Sequence, residues 1–182
     1  TVAQVEVMVG LLERLERALD LAPGRLGFEV QVETPQLIIG AGGTMPVAEL
    51  LHRGAGRITG LHYGTYDYSA SLGIAAAQQS MEHPAADFAK QVMQVAVAGT
   101  GVRLSDGSTN VIPAGDEAST IAASQLHGRP VRRSLERAYY HGWALPPAHL
   151  PRRPPASYSF LRARLAPGPA RPRPRRAGTE CT

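Results

Sequence analysis

The sequence predicts an α/β fold in which helices alternate with the strands of a parallel sheet. Apolar residues recur every three or four positions near the start of the chain, as on the buried side of a helix. Strand patterns follow at residues 26–32 and 57–63, and a second helical run covers residues 85–98. Alternation of this kind is typical of parallel sheets with right-handed crossovers. The 182 residues, 43% of them hydrophobic, suffice for one domain with a real core.

The first helix is predicted over residues 2–21 and ends before Pro23. The apolar stripe that should face the core consists of Val5, Met8, Leu12, Leu15 and Leu19. In the strand that follows, Phe28, Val30 and Val32 alternate with polar residues, which predicts one buried face.

The next elements are a short helix, a strand and a loop. Thr44 is expected to cap the helix, and Gly54 to close it. The strand covers residues 57–63, and residues 64–67 are predicted to form the loop after it.

Two helices and two strands are predicted in the remainder of the domain. The helix at residues 85–98 is followed by a strand at 101–105. Asp116 can cap a further helix, which a break or kink at Gly128 and Pro130 should interrupt. A weak strand covers residues 142–145. In the helix at residues 85–98, the side chains that should face inward are Phe88, Val92, Val95 and Ala96.

Four β/α units leave two architectures open. A complete (β/α)₈ barrel typically needs about 250 residues, so this chain would supply only part of one. A doubly wound open sheet is the alternative, supported by the glycine-rich residues 40–45 after an apolar run. That run has Met45 where the third glycine of a dinucleotide-binding fingerprint belongs, which weakens the alternative.

The basic character of the chain belongs to its end. Residues 1–150 carry 11 Lys and Arg against 14 Asp and Glu, whereas residues 151–182 carry eight Arg and one Glu. The end segment also holds seven of the 15 prolines. We therefore divide the chain into a domain at 1–150 and a Pro/Arg-rich tail at 151–182, which is expected to be disordered. Nucleic-acid binding by this tail is the less favoured hypothesis.

Composition argues against a membrane protein and favours the cytoplasm. No apolar run reaches the roughly 18 residues that a membrane-spanning helix needs. The single cysteine, Cys181, cannot form an internal disulfide, which suits a reducing compartment.

Two carboxylates stand directly after predicted strands. Glu33 ends the first strand, and Asp67 follows the second. The carboxyl ends of parallel strands meet at one edge of a sheet, so the two acids should lie close together. Mg²⁺ is commonly held by one or two carboxylates together with waters and substrate oxygens. Helix caps and surface salt bridges are the alternative roles. His62 is interpreted as a strand histidine that makes one hydrogen bond, and a base near the metal is the alternative role.

Two segments carry a resemblance to a known family. Residues 28–35, Phe-Glu-Val-Gln-Val-Glu-Thr-Pro, resemble a strand that ends in Glu-Thr in the HpcH/HpaI aldolase and citrate lyase beta-subunit family. Residues 64–73, Gly-Thr-Tyr-Asp-Tyr-Ser-Ala-Ser-Leu-Gly, resemble its Gly-x-x-Asp-Leu segment, with Tyr68 in place of the Leu. The similarity extends over residues 1–150, whereas the end of the chain reads as an unrelated extension or a shifted frame.

The resemblance implies a fold, a cofactor and an activity. The fold is the C-terminal half of a (β/α)₈ TIM barrel, and Glu33 and Asp67 are the ligands of Mg²⁺ or Mn²⁺. The implied function is a carbon–carbon lyase or aldolase that acts on a small keto acid or acyl-CoA thioester through a metal-stabilised enolate. Full-length relatives are implied to be homo-oligomers.

The remaining site residues come from position along the chain. Backbone N–H groups at residues 64–67, with Gly64 and Thr65 foremost, are expected to bind a substrate carboxylate. Asp106 follows the third strand and is expected to contact substrate, although Asp-Gly is first of all a turn signal. No catalytic acid or base is identified. The alternative hypothesis is an inactive, truncated barrel fragment, because the substrate-binding arginine of the family comes from an earlier strand.

Overall fold

The computed structural model describes residues 1–110, 116–144 and 153–164. Within these ranges the chain forms seven α-helices, four strands and two short 3-10 turns. In chain order they are α1 (Val2–Ala18), β1 (Phe28–Val32), α2 (Pro35–Ile38), a 3-10 turn (Ala41–Gly43), α3 (Pro46–Arg53), β2 (Ile58–Tyr63), α4 (Thr65–Ser71), a 3-10 turn (Ala76–Gln78), α5 (Pro84–Val97), β3 (Arg103–Asp106), α6 (Glu117–Glu136), β4 (His141–Gly142) and α7 (Arg153–Arg164).

The four strands form one sheet in the order β1-β2-β3-β4, and every neighbouring pair is parallel. Val32 pairs with Tyr63, and Ser105 pairs with His141. The predicted parallel α/β sheet is confirmed. Because the strands run in the same direction, the segments that follow them emerge at one edge of the sheet.

The two faces of the sheet have different chemistry. One face packs against the helices and supplies the core, with Leu61 and Tyr63 of β2 buried against Met93 of α5. On β1, Glu29 and Gln31 alternate with half-buried apolar residues and are exposed. The second face is therefore polar, and it borders the edge where the strands end.

Helix α1 is confirmed, but its predicted inward stripe is only partly right. Val5 and Val9 are buried, whereas Leu15 is 45% exposed. Glu16 lies on the buried side at 2% exposure. Its carboxylate accepts hydrogen bonds from Arg57 Nη1 at 2.6 Å and Nη2 at 2.8 Å. The stripe is shifted because the helix turns this buried ion pair inward.

The Glu16 carboxylate makes the fold sensitive to acid. Hydrogen bonds from Arg57, and then from the backbone of Leu26, lower the pKa of Glu16 to about 2. A depressed folded-state pKa stabilises the protein above the ordinary glutamate pKa of about 4.3, and this contribution is lost as the pH falls towards 2.

We therefore expect the melting temperature to fall between about pH 5 and pH 2, and a Glu16→Gln variant to lose part of that dependence. Thermal unfolding followed by circular dichroism at several pH values measures both profiles. Asp87, whose pKa the hydrogen bonds of Arg133 lower to about 2, supplies part of the dependence that remains. Parallel profiles for the two proteins would contradict this role of Glu16.

Helix α5 also faces the core with a different set of residues than predicted. Val92 is buried as expected, but Phe88 is half exposed and Val95 is 75% exposed. Lys90 is buried in their place. The periodicity was misleading because a buried ion pair, described below, fixes the rotation of this helix.

The predicted ends of α3 and α6 agree with the structure only in part. Gly54 closes α3, but Met45 stands at its N-cap, and Thr44 makes no capping hydrogen bond. Asp116 caps α6 by accepting from the N–H of Ser119 at 2.8 Å, as predicted. The chain does not break at Gly128 or Pro130, because α6 continues as one helix through both residues.

The expectation of a tail that is disordered from residue 151 is wrong for Arg153–Arg164, which form α7. Phe160 of this helix packs with Val131 and Leu135 of α6 in a small second core. The sequence did not predict the burial of Phe160, because proline and arginine dominate the composition of this segment. Residues 165–182 and Leu145 of the predicted last strand lie outside the described residues. None of the helices in the described ranges combines the length and apolar character that crossing a bilayer requires.

Candidate functional site at the carboxyl edge of the sheet

Two acidic side chains meet where β1 and β2 end. Glu33 directly follows β1, and the register of Val32 with Tyr63 sets it beside the segment that follows β2. That segment was predicted as a loop, but only Gly64 lies outside a helix, and Asp67 lies in the first turn of α4. The structure thus brings Glu33 and Asp67 together through neighbouring parallel strands.

The electrostatics of the pair indicate that the two carboxyl groups are close to each other. Burial is the largest cause that raises the pKa of Glu33, followed by the charge of Asp67 and a hydrogen bond between the two side chains. Gln31 opposes these effects by donating from Nε2 to Glu33 Oε2 at 2.7 Å. Two carboxylates this close repel each other unless a proton or a cation lies between them.

The donor set fits a hard divalent cation with an incomplete protein shell. No cluster of three or more His, Cys, Asp or Glu side chains with metal-binding geometry occurs among the described residues. Mg²⁺ retains several waters and commonly takes only one or two carboxylates from a protein. Glu33 and Asp67 would supply two such carboxylates, and waters or substrate oxygens would have to fill the other coordination positions.

Gly64 has a structural role rather than the predicted donor role. Its N–H donates to the carbonyl of Val32 at 2.9 Å and is not available to a substrate. A Cβ at this position would lie 2.7 Å from Glu33 Cβ. Glycine at position 64 therefore permits the close approach of the two segments that carry Glu33 and Asp67.

Thr65 borders a small cavity beside Asp67. The cavity has a volume of about 100 Å³, and Gly107, Ser108 and Trp143 line its other sides. Thr65 is 3% exposed, and its hydroxyl has no hydrogen-bond partner among the described residues. A Cβ on Gly107 would lie 1.9 Å from that hydroxyl oxygen, so the cavity wall there is glycine backbone.

Asp106 does not serve the substrate-contact role that its position suggested. It is 1% exposed, and Lys90 Nζ lies 3.1 Å from Oδ2 and 3.2 Å from Oδ1. Ser134 also donates to Oδ2, and the N–H of Gly107 donates to Oδ1 at 2.8 Å. With both oxygens engaged inside the core, Asp106 fixes β3 to α5 and α6, and we leave it out of the site.

A chain of polar contacts on the second face of the sheet escaped the sequence analysis. Trp143 Nε1–H donates to His62 Nδ1 at 2.5 Å, and the two rings meet edge to face at 78° with centroids 5.4 Å apart. His62 Nε2 bonds Glu29 Oε2, and Arg103 donates to Glu29 Oε1 at 3.3 Å. We call these four residues the Trp143 network.

The Trp143 network differs from the single hydrogen bond expected of His62. The available sequence signal was the alternation of β1 and β2, which sets Glu29 and His62 on the same face. Trp143 had no such signal, because β4 has only two residues and shows no alternation.

Comparison with known proteins adds a family and a fold. A family model described as a domain of unknown function (DUF6986) matches residues 1–175. This match continues through the Pro/Arg-rich segment, so the interpretation of that segment as foreign or frame-shifted is wrong as far as residue 175. No curated protein matches the chain.

Among solved structures, a crystal structure of a citrate lyase from Burkholderia xenovorans LB400 is similar, with a TM-score of 0.65 and 20% sequence identity. The match covers 91% of this chain and 52% of the citrate lyase chain. This chain therefore has a citrate lyase-like fold and spans about half the length of that protein.

Proposed function

The chain belongs to the DUF6986 family, and from that premise we propose that it is a metal-dependent carbon–carbon lyase or aldolase, related to the HpcH/HpaI aldolase and citrate lyase beta-subunit family. The observation that carries the proposal is the meeting of the Glu33 and Asp67 carboxyl groups at the carboxyl edge of a parallel sheet. Active sites of parallel α/β folds lie at this edge.

The proposed architecture is the C-terminal half of a (β/α)₈ barrel. The uniform parallel order of the four strands supports it, as does the likeness to a citrate lyase of about twice the length. In such a barrel the polar face that carries Glu29, Gln31 and His62 would be the interior, and the helices would form the outer layer.

Glu33 and Asp67 are proposed to hold Mg²⁺ or Mn²⁺. A cation held by these two carboxylates would supply Lewis-acid stabilisation of the negative charge that develops on a keto oxygen when a neighbouring carbon–carbon bond breaks or forms. Gln31 orients the Glu33 carboxylate through its 2.7 Å hydrogen bond, and Gly64 lets α4 begin against it.

The substrate is proposed to be a small keto acid, or the keto-acid end of a larger molecule such as an acyl-CoA thioester. The first N–H groups of a helix have no intrahelical acceptor. Those at the start of α4, from Thr65 onward, and the Thr65 hydroxyl adjoin the cavity and are proposed to bind the substrate carboxylate. The cavity volume of about 100 Å³ suits a group of this size.

The second candidate is a barrel part that binds the metal but has no activity by itself. The observation that favours it is the 52% coverage of the citrate lyase chain, together with the origin of the family's substrate-binding arginine in another strand. Metal binding and turnover must therefore be measured separately.

The test combines a Mn²⁺ titration followed by electron paramagnetic resonance with proton NMR of pyruvate in D₂O. We expect one Mn²⁺ per chain and Mn²⁺-dependent exchange of the pyruvate methyl protons, which reports enolate formation. Mn²⁺ binding without exchange would favour the second candidate. Absence of Mn²⁺ binding up to millimolar concentrations would overturn both.

A further inference from the structure

We propose that Trp143 is the specificity-determining residue of this site, and that His62 and Glu29 are positioning residues that hold its indole against the cavity beside Asp67. The inference rests on the proposed function and deepens it: the substrate end that enters the cavity is an unbranched 2-oxo acid of about pyruvate size. Trp143 sets that limit because it directly follows β4 and lines the cavity on the side opposite the segment that carries Thr65 and Asp67 in the sheet order.

The position of Trp143 links two cavities. It lines the cavity of about 100 Å³ that contains Thr65 and Asp67, and it also lines a larger cavity of about 310 Å³ with Glu29 and His62. Its backbone N–H donates to the carbonyl of Asp106 at 3.1 Å, which anchors the main chain beside β3. The indole therefore forms a wall shared by the candidate site and the polar face of the sheet.

The volume of the smaller cavity sets the size of its occupant. An engineered cavity of about 150 Å³ holds a benzene molecule, so a cavity of about 100 Å³ suits a smaller group. A carboxylate with its neighbouring carbon fills such a space, and a branched carbon chain does not. Removing the indole would enlarge this space on the side of Trp143.

The Trp143 network gives the indole one orientation. An indole N–H can only donate, so His62 Nδ1 must accept and His62 Nε2 carries the proton that it donates to Glu29. Arg103 donates to the other oxygen of Glu29. Every link thus has a single direction, and loss of the imidazole would remove the acceptor that holds the ring.

The experiment compares the affinities of pyruvate, 2-oxobutyrate and 3-methyl-2-oxobutanoate for the Mn²⁺-loaded chain, measured by water-proton relaxation. We expect the unmodified chain to prefer pyruvate over the branched acid by about tenfold or more, because a misfit of one or two methylene groups in a pocket is worth that much. Trp143→Ala should reduce the preference to less than about threefold, whereas Trp143→Phe should keep most of it.

The role of His62 is tested in a second measurement, the fluorescence of Trp143, which is the only tryptophan in the chain. His62→Ala should shift the emission and lower the preference for pyruvate as Trp143→Ala does. His52 is exposed on α3, away from the network, so His52→Ala is the matched control and should change neither reading.

Each outcome decides the inference. Mn²⁺ binding with an unchanged preference in both Trp143→Ala and His62→Ala overturns it and leaves the proposed function standing. A chain that binds no Mn²⁺ overturns the proposed function and this inference with it. If circular dichroism shows that Trp143→Ala is unfolded, Trp143→Phe and His62→Ala give the answer.

Discussion

Glu33→Gln should weaken Mn²⁺ binding by about 100-fold or more, because it removes one of only two carboxylates in the proposed ligand set. The same change should leave the metal-free protein as stable as before or slightly more stable. Burial, and then the charge of Asp67, raise the pKa of Glu33, so a neutral side chain at position 33 relieves both a desolvation cost and a repulsion. Paired measurements by paramagnetic resonance and thermal unfolding would therefore separate loss of a ligand from loss of the fold.

Glu29→Gln is the matched control for this prediction. Glu29 lies on β1, the strand that ends beside Glu33, and is also a partly exposed carboxylate, but it belongs to the Trp143 network. Its replacement should leave Mn²⁺ affinity within about threefold of the unmodified value, because it removes no proposed ligand. Equal losses in the two variants would show that the effect of Glu33 is a general one of negative charge and would contradict direct ligation.

Asp106→Asn should lower the free energy of unfolding by about 3–5 kcal/mol, the usual cost of leaving one partner of a buried ion pair without its counter-charge. Lys90 Nζ would lose its counter-charge in the core, where its side chain is only 6% exposed. The amide at position 106 has one acceptor oxygen and one NH₂ donor, so it could keep only one of the two contacts that Asp106 makes with Lys90 Nζ. Urea denaturation followed by circular dichroism measures the loss.

The control for Asp106 is an ion pair at the surface. Arg132 and Glu136 lie one turn apart on α6 at 3.1 Å, and both are more than 45% exposed. Glu136→Gln should cost less than about 1 kcal/mol. A stable Asp106→Asn protein with impaired binding of pyruvate would contradict the structural role and restore the substrate contact that the sequence suggested.

Local pattern predicted the architecture and the position of the acidic pair. The order of the strands follows from alternation and from the rule that parallel neighbours are joined through helices. Glu33 and Asp67 could be placed together because each stands just after a strand, and the carboxyl ends of parallel strands share one edge. These inferences needed only the position of a residue along its own element.

The missed features depend on contacts between distant segments. Glu16 and Arg57 are 41 residues apart, and Lys90 and Asp106 are 16 apart, yet these pairs decide which side of α1 and α5 is buried. Hydrophobic periodicity assumes that charged residues face water, and it fails where an ion pair is buried. Trp143 was missed for the same reason, since its orientation depends on a histidine 81 residues earlier.

The packing of α7 on α6 bears on how the protein should be shortened for crystallisation. The arginine-rich end invites removal at residue 151, where its composition changes. Such a cut would remove Phe160 from its contacts with Val131 and Leu135. It would expose an apolar patch on α6, which lowers solubility. Trimming after Arg164 keeps this cover and still discards half of the arginines beyond residue 150.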